Sequence, residues 1–200
     1  MNFGKGLARV LFPAALVAAG GPAAAQSADM TRLGEHIRSV RTMTANFSQI
    51  DARGRSVGGS LQMKRPGKVR FQYGSGDLLL VADGRTLWYL DYQVGQKNSW
   101  PLGKTPLGVL LSNSPNLKGR AQIVPSSNPQ IVSVRARDPA QYGSLTLVFM
   151  RSASAPGGLQ LYGWTALDAQ NKRTTVKLAN VRYNVAVSEG AFTFKNPVKR

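Results

Sequence analysis

The feature that most constrains this chain is a two-residue hydropathy period that runs through most of its length. In Gly59 to Arg65, the side chains of Leu61, Met63 and Arg65 fall on one side and Ser60, Gln62 and Lys64 on the other. After a Pro66-Gly67 turn, Val69, Phe71 and Tyr73 alternate with Lys68, Arg70 and Gln72. Successive strand side chains point to opposite faces, so these segments predict an antiparallel hairpin with one apolar and one basic face. Arg65 is the exception, a guanidinium on the apolar side beside the turn. Leu78 to Val81, an Asp83-Gly84 turn signal and Thr86 to Tyr92 predict a second hairpin, with Trp88, Leu90 and Tyr92 sharing a face. Further strands are predicted at Ile131 to Arg137, Ser144 to Met150, Leu159 to Leu167 and Thr174 to Tyr183. In the last, Val176 and Leu178 are even while Val181 and Tyr183 are odd, which predicts a bulge near Ala179 and Asn180.

Helical spacing occurs in two places. Met30, Leu33, Ile37 and Val40 predict an amphipathic helix over Asp29 to Thr42, with Ser27 or Asp29 as its cap and His36 beside the stripe. Thr105 and Pro106 read as the cap and first position of a short apolar helix that ends near Leu111, and Ser112 to Gln130 reads as loop. The expected fold is therefore mostly β with a few helices, one antiparallel sheet of about eight strands or more. Either the sheet closes and fills itself with side chains, or it stays open over an apolar hollow beneath a helical lid.

Composition removes most chemistry. There is no cysteine and a single histidine, His36, so thiol catalysis and thiolate metal sites are excluded. Gly103-Lys104-Thr105 resembles the end of a phosphate-binding loop, but the position of its first glycine holds Asn98. There is no G-x-S-x-G, and the nine acids form no spaced metal cluster. No cofactor, metal or enzymatic activity is expected. Lys and Arg number 26 against 9 Asp and Glu, a net charge of +17, yet only 18% of residues are charged and 42% are hydrophobic, which is not the make-up of a disordered polycation.

Lys5, Arg9, the short apolar run Val10 to Gly20 and the small residues Ala23 and Ala25 read as a signal peptide over residues 1–25, cut after Ala25. The remaining domain, 26–200, is expected in the periplasm, and losing Lys5 and Arg9 takes the net charge from +17 to +15. Export turns the basic face toward anionic headgroups or an acidic partner and away from nucleic acid, although VRFQY interleaves aromatic and basic residues as a base-stacking sheet would.

The segments TANFSQ, GSLQMKRPGKVRFQY, LLVADGRTLWYLD, KTPLGVLLS and AFTFKNP, in that order, resemble the periplasmic outer-membrane lipoprotein carrier family, LolA. The matched pieces run from Thr44 to Ser112 and recur at Ala191 to Pro197; Asn113 to Gly190 matches in strand pattern alone. The resemblance implies an incomplete, strongly curved antiparallel barrel whose helical lid covers an apolar cavity. It implies acylated lipoproteins as cargo, an inner-membrane lipoprotein-releasing transporter and an outer-membrane acceptor as partners, and a monomer. It also implies that Arg65 of the K-R-P segment latches the lid by hydrogen bonds to lid-loop carbonyls. Leu61, Met63, Val69, Phe71, Trp88 and Leu90, with Leu107 and Leu110 of the lid, are then the expected acyl-chain contacts. A lipid or glycolipid binder of the same shape, with an envelope maintenance or sensing role, is the alternative.

Overall fold

The Ala-rich segment before Asp29 is good helix-forming sequence, and it carries the first helix further back than the apolar stripe alone predicts. Helix α1 runs Pro22–Ser39 rather than Asp29 to Thr42. Neither expected cap is used. Ser27 lies inside the helix, its carbonyl accepting from the Thr31 hydroxyl at 3.1 Å. The Asp29 carboxylate instead takes both Arg151 guanidinium nitrogens, at 2.7 and 2.9 Å. The helix stops where β-branched Val40 and Thr42 favour extended backbone. There Asn184 brackets the end, donating to the Ser39 carbonyl and accepting from the Arg41 amide. This computed structural model describes residues 22–74, 76–105, 108, 111, 121–137, 144–167 and 170–198.

The strands follow as β1 (Thr42–Ile50), β2 (Ser56–Lys64), β3 (Lys68–Tyr73), β4 (Leu78–Asp83), β5 (Thr86–Asp91), β6 (Gln96–Pro101), β7 (Ala121–Val124), β8 (Ile131–Arg137), β9 (Ser144–Arg151), β10 (Leu159–Leu167) and β11 (Arg173–Tyr183). They form one eleven-stranded sheet in the order β6-β5-β4-β3-β2-β1-β11-β10-β9-β8-β7. Every pairing is antiparallel. The expected bulge is in β11: Thr44 pairs with Arg182 but Asn46 with Ala179, and Asn180 adopts φ 54°. Strand β7 falls within the Ser112 to Gln130 stretch that reads as loop, and β6 lies where no strand is predicted. Every residue of β6 is exposed, so no alternation marks it, and β7 is only four residues long.

The pairing of β1 with β11 joins the first and last strands, so the two free edges, β6 and β7, are consecutive in the chain. Residues 102–120 must therefore connect one edge to the other. Leu102 and Leu111 of this stretch are buried in one cluster with Val40, Met43 and Met63, on the inner face. Thr105 acts as the expected cap, its hydroxyl accepting from the Gly108 amide at 3.2 Å. Pro106, Leu107 and Leu110 lie outside the described residues.

The sheet is strongly curled. Phe71 on β3 and Trp164 on β10 are four strands apart, about 19 Å in a flat sheet at ~4.8 Å per strand. Their ring centroids are 5.8 Å apart. Inside the curl, Leu33 and Ile37 of α1 pack on Val132, Val134, Leu145, Leu147 and Phe149. The outer face is not left entirely to water. Leu79, Val81 and Leu90 are buried there by Phe192, with Trp88, Tyr92, Val187, Ala191 and Phe194 around them. The C-terminal segment thus covers the outside of β4 and β5.

Candidate functional site

A cavity of about 350 Å³ lies on the inner face, bounded by α1, β1 to β4 and β9 to β11. That is the lower end of the usual range for ligand sites. Four of the predicted contacts, Leu61, Met63, Val69 and Phe71, line it. The β2–β3 register places Leu61 opposite Phe71 and Met63 opposite Val69, so the hairpin presents them as one patch. The apolar wall continues on the other half through Leu147, Phe149, Leu161, Trp164 and Val176, and α1 adds Ile37, with Val40 just after its end.

Trp88 and Leu90 are not part of this wall. In the β4–β5 register Val81 pairs with Trp88 and Leu79 with Leu90, and these four side chains belong to the outer cluster under Phe192. The sequence Leu87-Trp88-Tyr89-Leu90 is apolar at every position, so alternation could not say which pair faces inward. Leu87 is the one packed on the inner core. Leu107 and Leu110 fall outside the described residues, while Leu111, beside them in sequence, lines the cavity. The signal for the missed wall was present, since Leu145, Leu147 and Phe149 share a face by simple alternation.

One end of the cavity holds Arg65 and His36. Arg65 is half-buried, and desolvation, helped by repulsion from Arg41, lowers its pKa to about 10, so it stays cationic at neutral pH. Its Nε donates to the Val40 carbonyl at 3.0 Å. That carbonyl follows the C-terminus of α1, where a cation is favoured by the helix dipole. The main chain ties the same turn to both neighbours: the Arg65 amide donates to the Arg41 carbonyl at 2.8 Å and the Gly67 amide to that of Leu111 at 2.9 Å. Gly67 has φ 71°, and a Cβ there would sit 2.8 Å from Gly84 Cα, so only glycine fits. Arg65 therefore links the β2–β3 turn to the end of α1, while the turn's backbone holds the connection between the sheet edges.

His36 is buried, with its ring edge-to-face on Phe149 and Tyr183 at 5.2 and 5.3 Å. Desolvation pushes its pKa below the ordinary value, so at neutral pH it is an uncharged imidazole whose Nδ1 donates to the Pro156 carbonyl at 2.9 Å. Gly157 packs so tightly on α1 that a Cβ would come within 2.6 Å of the Arg32 carbonyl. These contacts and the Asp29 to Arg151 pair fix α1 to the β8–β10 half.

The other end is more polar, with Gln49, Ser144, Lys172 and Thr174. Tyr73 donates to Gln49 Oε1 at 2.9 Å, and burial pushes its hydroxyl up to about 12. Met43 and Gln49, which both line the cavity, are six residue steps apart on β1, about 20 Å at ~3.4 Å per step. A lipid tail in one leaflet spans about 15 Å, half of the ~30 Å hydrocarbon core. Among the described residues no group of three or more His, Cys, Asp or Glu could hold a metal.

The sequence profile described as outer membrane lipoprotein carrier protein LolA matches residues 38–195. An outer-membrane lipoprotein carrier protein of Legionella pneumophila (strain Corby) is 29% identical over 177 residues, covering 80% of this chain and 82% of its own length. One of Coxiella burnetii (strain RSA 331 / Henzerling II) is 26% identical over 185 residues, covering 88% and 86%. A crystal structure of a LolA superfamily protein from Nitrosomonas europaea superposes with TM-score 0.46 at 11% identity, over 82% of this chain and 97% of that one. With its profile spanning most of the sequence from the end of α1 to the C-terminal segment, the chain belongs to the LolA family of outer-membrane lipoprotein carrier proteins.

Proposed function

We propose that this chain is a periplasmic carrier that shelters the acyl chains of lipoproteins in the inner cavity and moves them from the inner to the outer membrane. The observation that carries the reading is an apolar cavity, about 350 Å³ in volume, left between the two halves of a curled sheet. Burial yields about 0.8 kcal/mol per methylene, so a chain of about sixteen carbons would gain roughly 12 kcal/mol if wholly desolvated. A carrier retaining all of that would not release its cargo. Opening the ring to admit cargo breaks the Arg65 to Val40 bond and separates apolar contacts, which lowers the net affinity to a reversible level. Arg65 is thus a latch whose partner is the end of α1, with α1 itself a fixed wall.

The reading takes acylated lipoproteins as cargo, an inner-membrane lipoprotein-releasing transporter as donor and an outer-membrane acceptor as recipient. The relatives named as lipoprotein carriers support it. Residues 1–25 act as a cleaved signal peptide, and the carrier itself has no catalytic residue and works as a monomer. Mass spectrometry of the protein purified from the periplasm under native conditions tests the cargo. The expected species is an acylated polypeptide; recovery of free lipid or glycolipid alone would favour the binder of envelope lipids instead.

A further inference from the structure

At the cavity end remote from Arg65, two connections lie side by side, because β1 pairs with β11 through Gln49 to Val176 and Ile50 to Thr175. The β1–β2 hairpin contributes Arg53 and Arg55, the β10–β11 connection contributes Lys172 and the start of β11 contributes Arg173; all four are exposed. Asp51 organises the first tip, accepting from the Arg53 and Arg55 amides at 2.8 and 3.0 Å. Its carboxylate also pairs with the Arg55 guanidinium at 2.7 Å, which neutralises that charge and leaves Arg53 in excess. Among the described residues neither the Arg53 nor the Arg173 guanidinium has an acidic partner. Asp168 of the same connection lies outside the described residues. Asp77 belongs to the β3–β4 connection and Asp91 ends β5, farther along the sheet.

Two aliphatic side chains interrupt this basic corner. Ile50 is 41% exposed and Val57 38% exposed, one on each face of the hairpin. The neighbouring residues Gln49, Lys172 and Thr174 rim the cavity itself. A folded protein partner would need a fixed apolar recess to match Ile50 and Val57. A headgroup layer accepts cations and shallow aliphatic anchors in any arrangement.

We propose that this corner docks the chain on an anionic phospholipid surface. Arg53, Lys172 and Arg173 meet headgroup phosphates, Ile50 and Val57 enter the interface, and the adjoining end of the cavity faces the bilayer. The inference does not depend on which acylated molecule the cavity carries. The test is co-sedimentation of the purified protein with vesicles of phosphatidylglycerol and phosphatidylethanolamine, and with phosphatidylcholine vesicles, at low and physiological salt. Each cation at such a surface changes affinity roughly fivefold, so Arg53→Gln/Arg173→Gln should bind the anionic vesicles about 25-fold more weakly. Arg38→Gln/Arg182→Gln, which removes the same charge elsewhere, should bind like wild type. Failure of the wild type to prefer anionic vesicles, or equal losses in both double variants, would overturn the proposal. Acyl-peptide binding measured on the same variants should be unchanged, which separates failure of the docking corner from failure of the cavity reading.

Discussion

Arg65 owes its role to its position. It sits on the apolar side of its hairpin, where a guanidinium is costly unless its donors are met, and its Nε finds the Val40 carbonyl. A hydrogen bond to a charged group contributes about 1.5–3 kcal/mol. In Arg65→Leu the open, loaded state no longer competes with that bond, so hand-over of an acylated peptide to acceptor vesicles should slow by at least roughly tenfold. An unchanged transfer rate would show that the contact is not a latch. Trp88 and Phe71 separate cavity from core. Phe71→Ala should cost about 3–5 kcal/mol in denaturant unfolding, and part of that loss should disappear when an acylated peptide fills the void. Trp88→Ala, on the outer face under Phe194, should lose stability by the same amount with or without the peptide.

At the scale of elements, the sheet was legible where one face is apolar and the other polar. The β2–β3 hairpin, β8, β9 and the β11 bulge follow from alternation alone. Legibility failed where that contrast vanished. β6 has no buried residue, and β5 is apolar on both faces, so Trp88 and Leu90 were assigned to the wrong side. What decides the side is a distant segment: Phe192 and Phe194 return to cover the outside of β4 and β5, a contact no local pattern encodes. The segment is held by charge as well. Glu189 bridges Lys64, at 2.7 Å, and Lys68, and these cations pull its carboxyl to about 2. A carboxyl held below its ordinary value stabilises the docked segment at pH values above about 4.5, and that contribution fades as pH falls toward 2. Amide protection across residues 187–194, taken relative to the intrinsic exchange rate at each pH, should therefore fall over that window, and Glu189→Gln should remove that loss of protection. Protection that stays constant between pH 5 and 2 in the wild type would count against it.

For the molecule as a whole, the connectivity explains why a hollow exists. The first and last strands pair, the free edges are consecutive in the chain, and Leu102 and Leu111 from the stretch between them are buried on the inner face. The sheet therefore curls without closing. The sequence left open whether such a curl fills itself; the side chains of both halves meet at Phe71 and Trp164 yet leave about 350 Å³ between α1 and the strands. The central claim is that this space is kept for hydrocarbon. The direct measurement is calorimetric titration of delipidated protein with a triacylated peptide and with its deacylated twin. The account predicts saturable binding of the first, with a negative heat-capacity change from apolar burial, and none of the second. Equal binding of both peptides, or binding of neither, would contradict it.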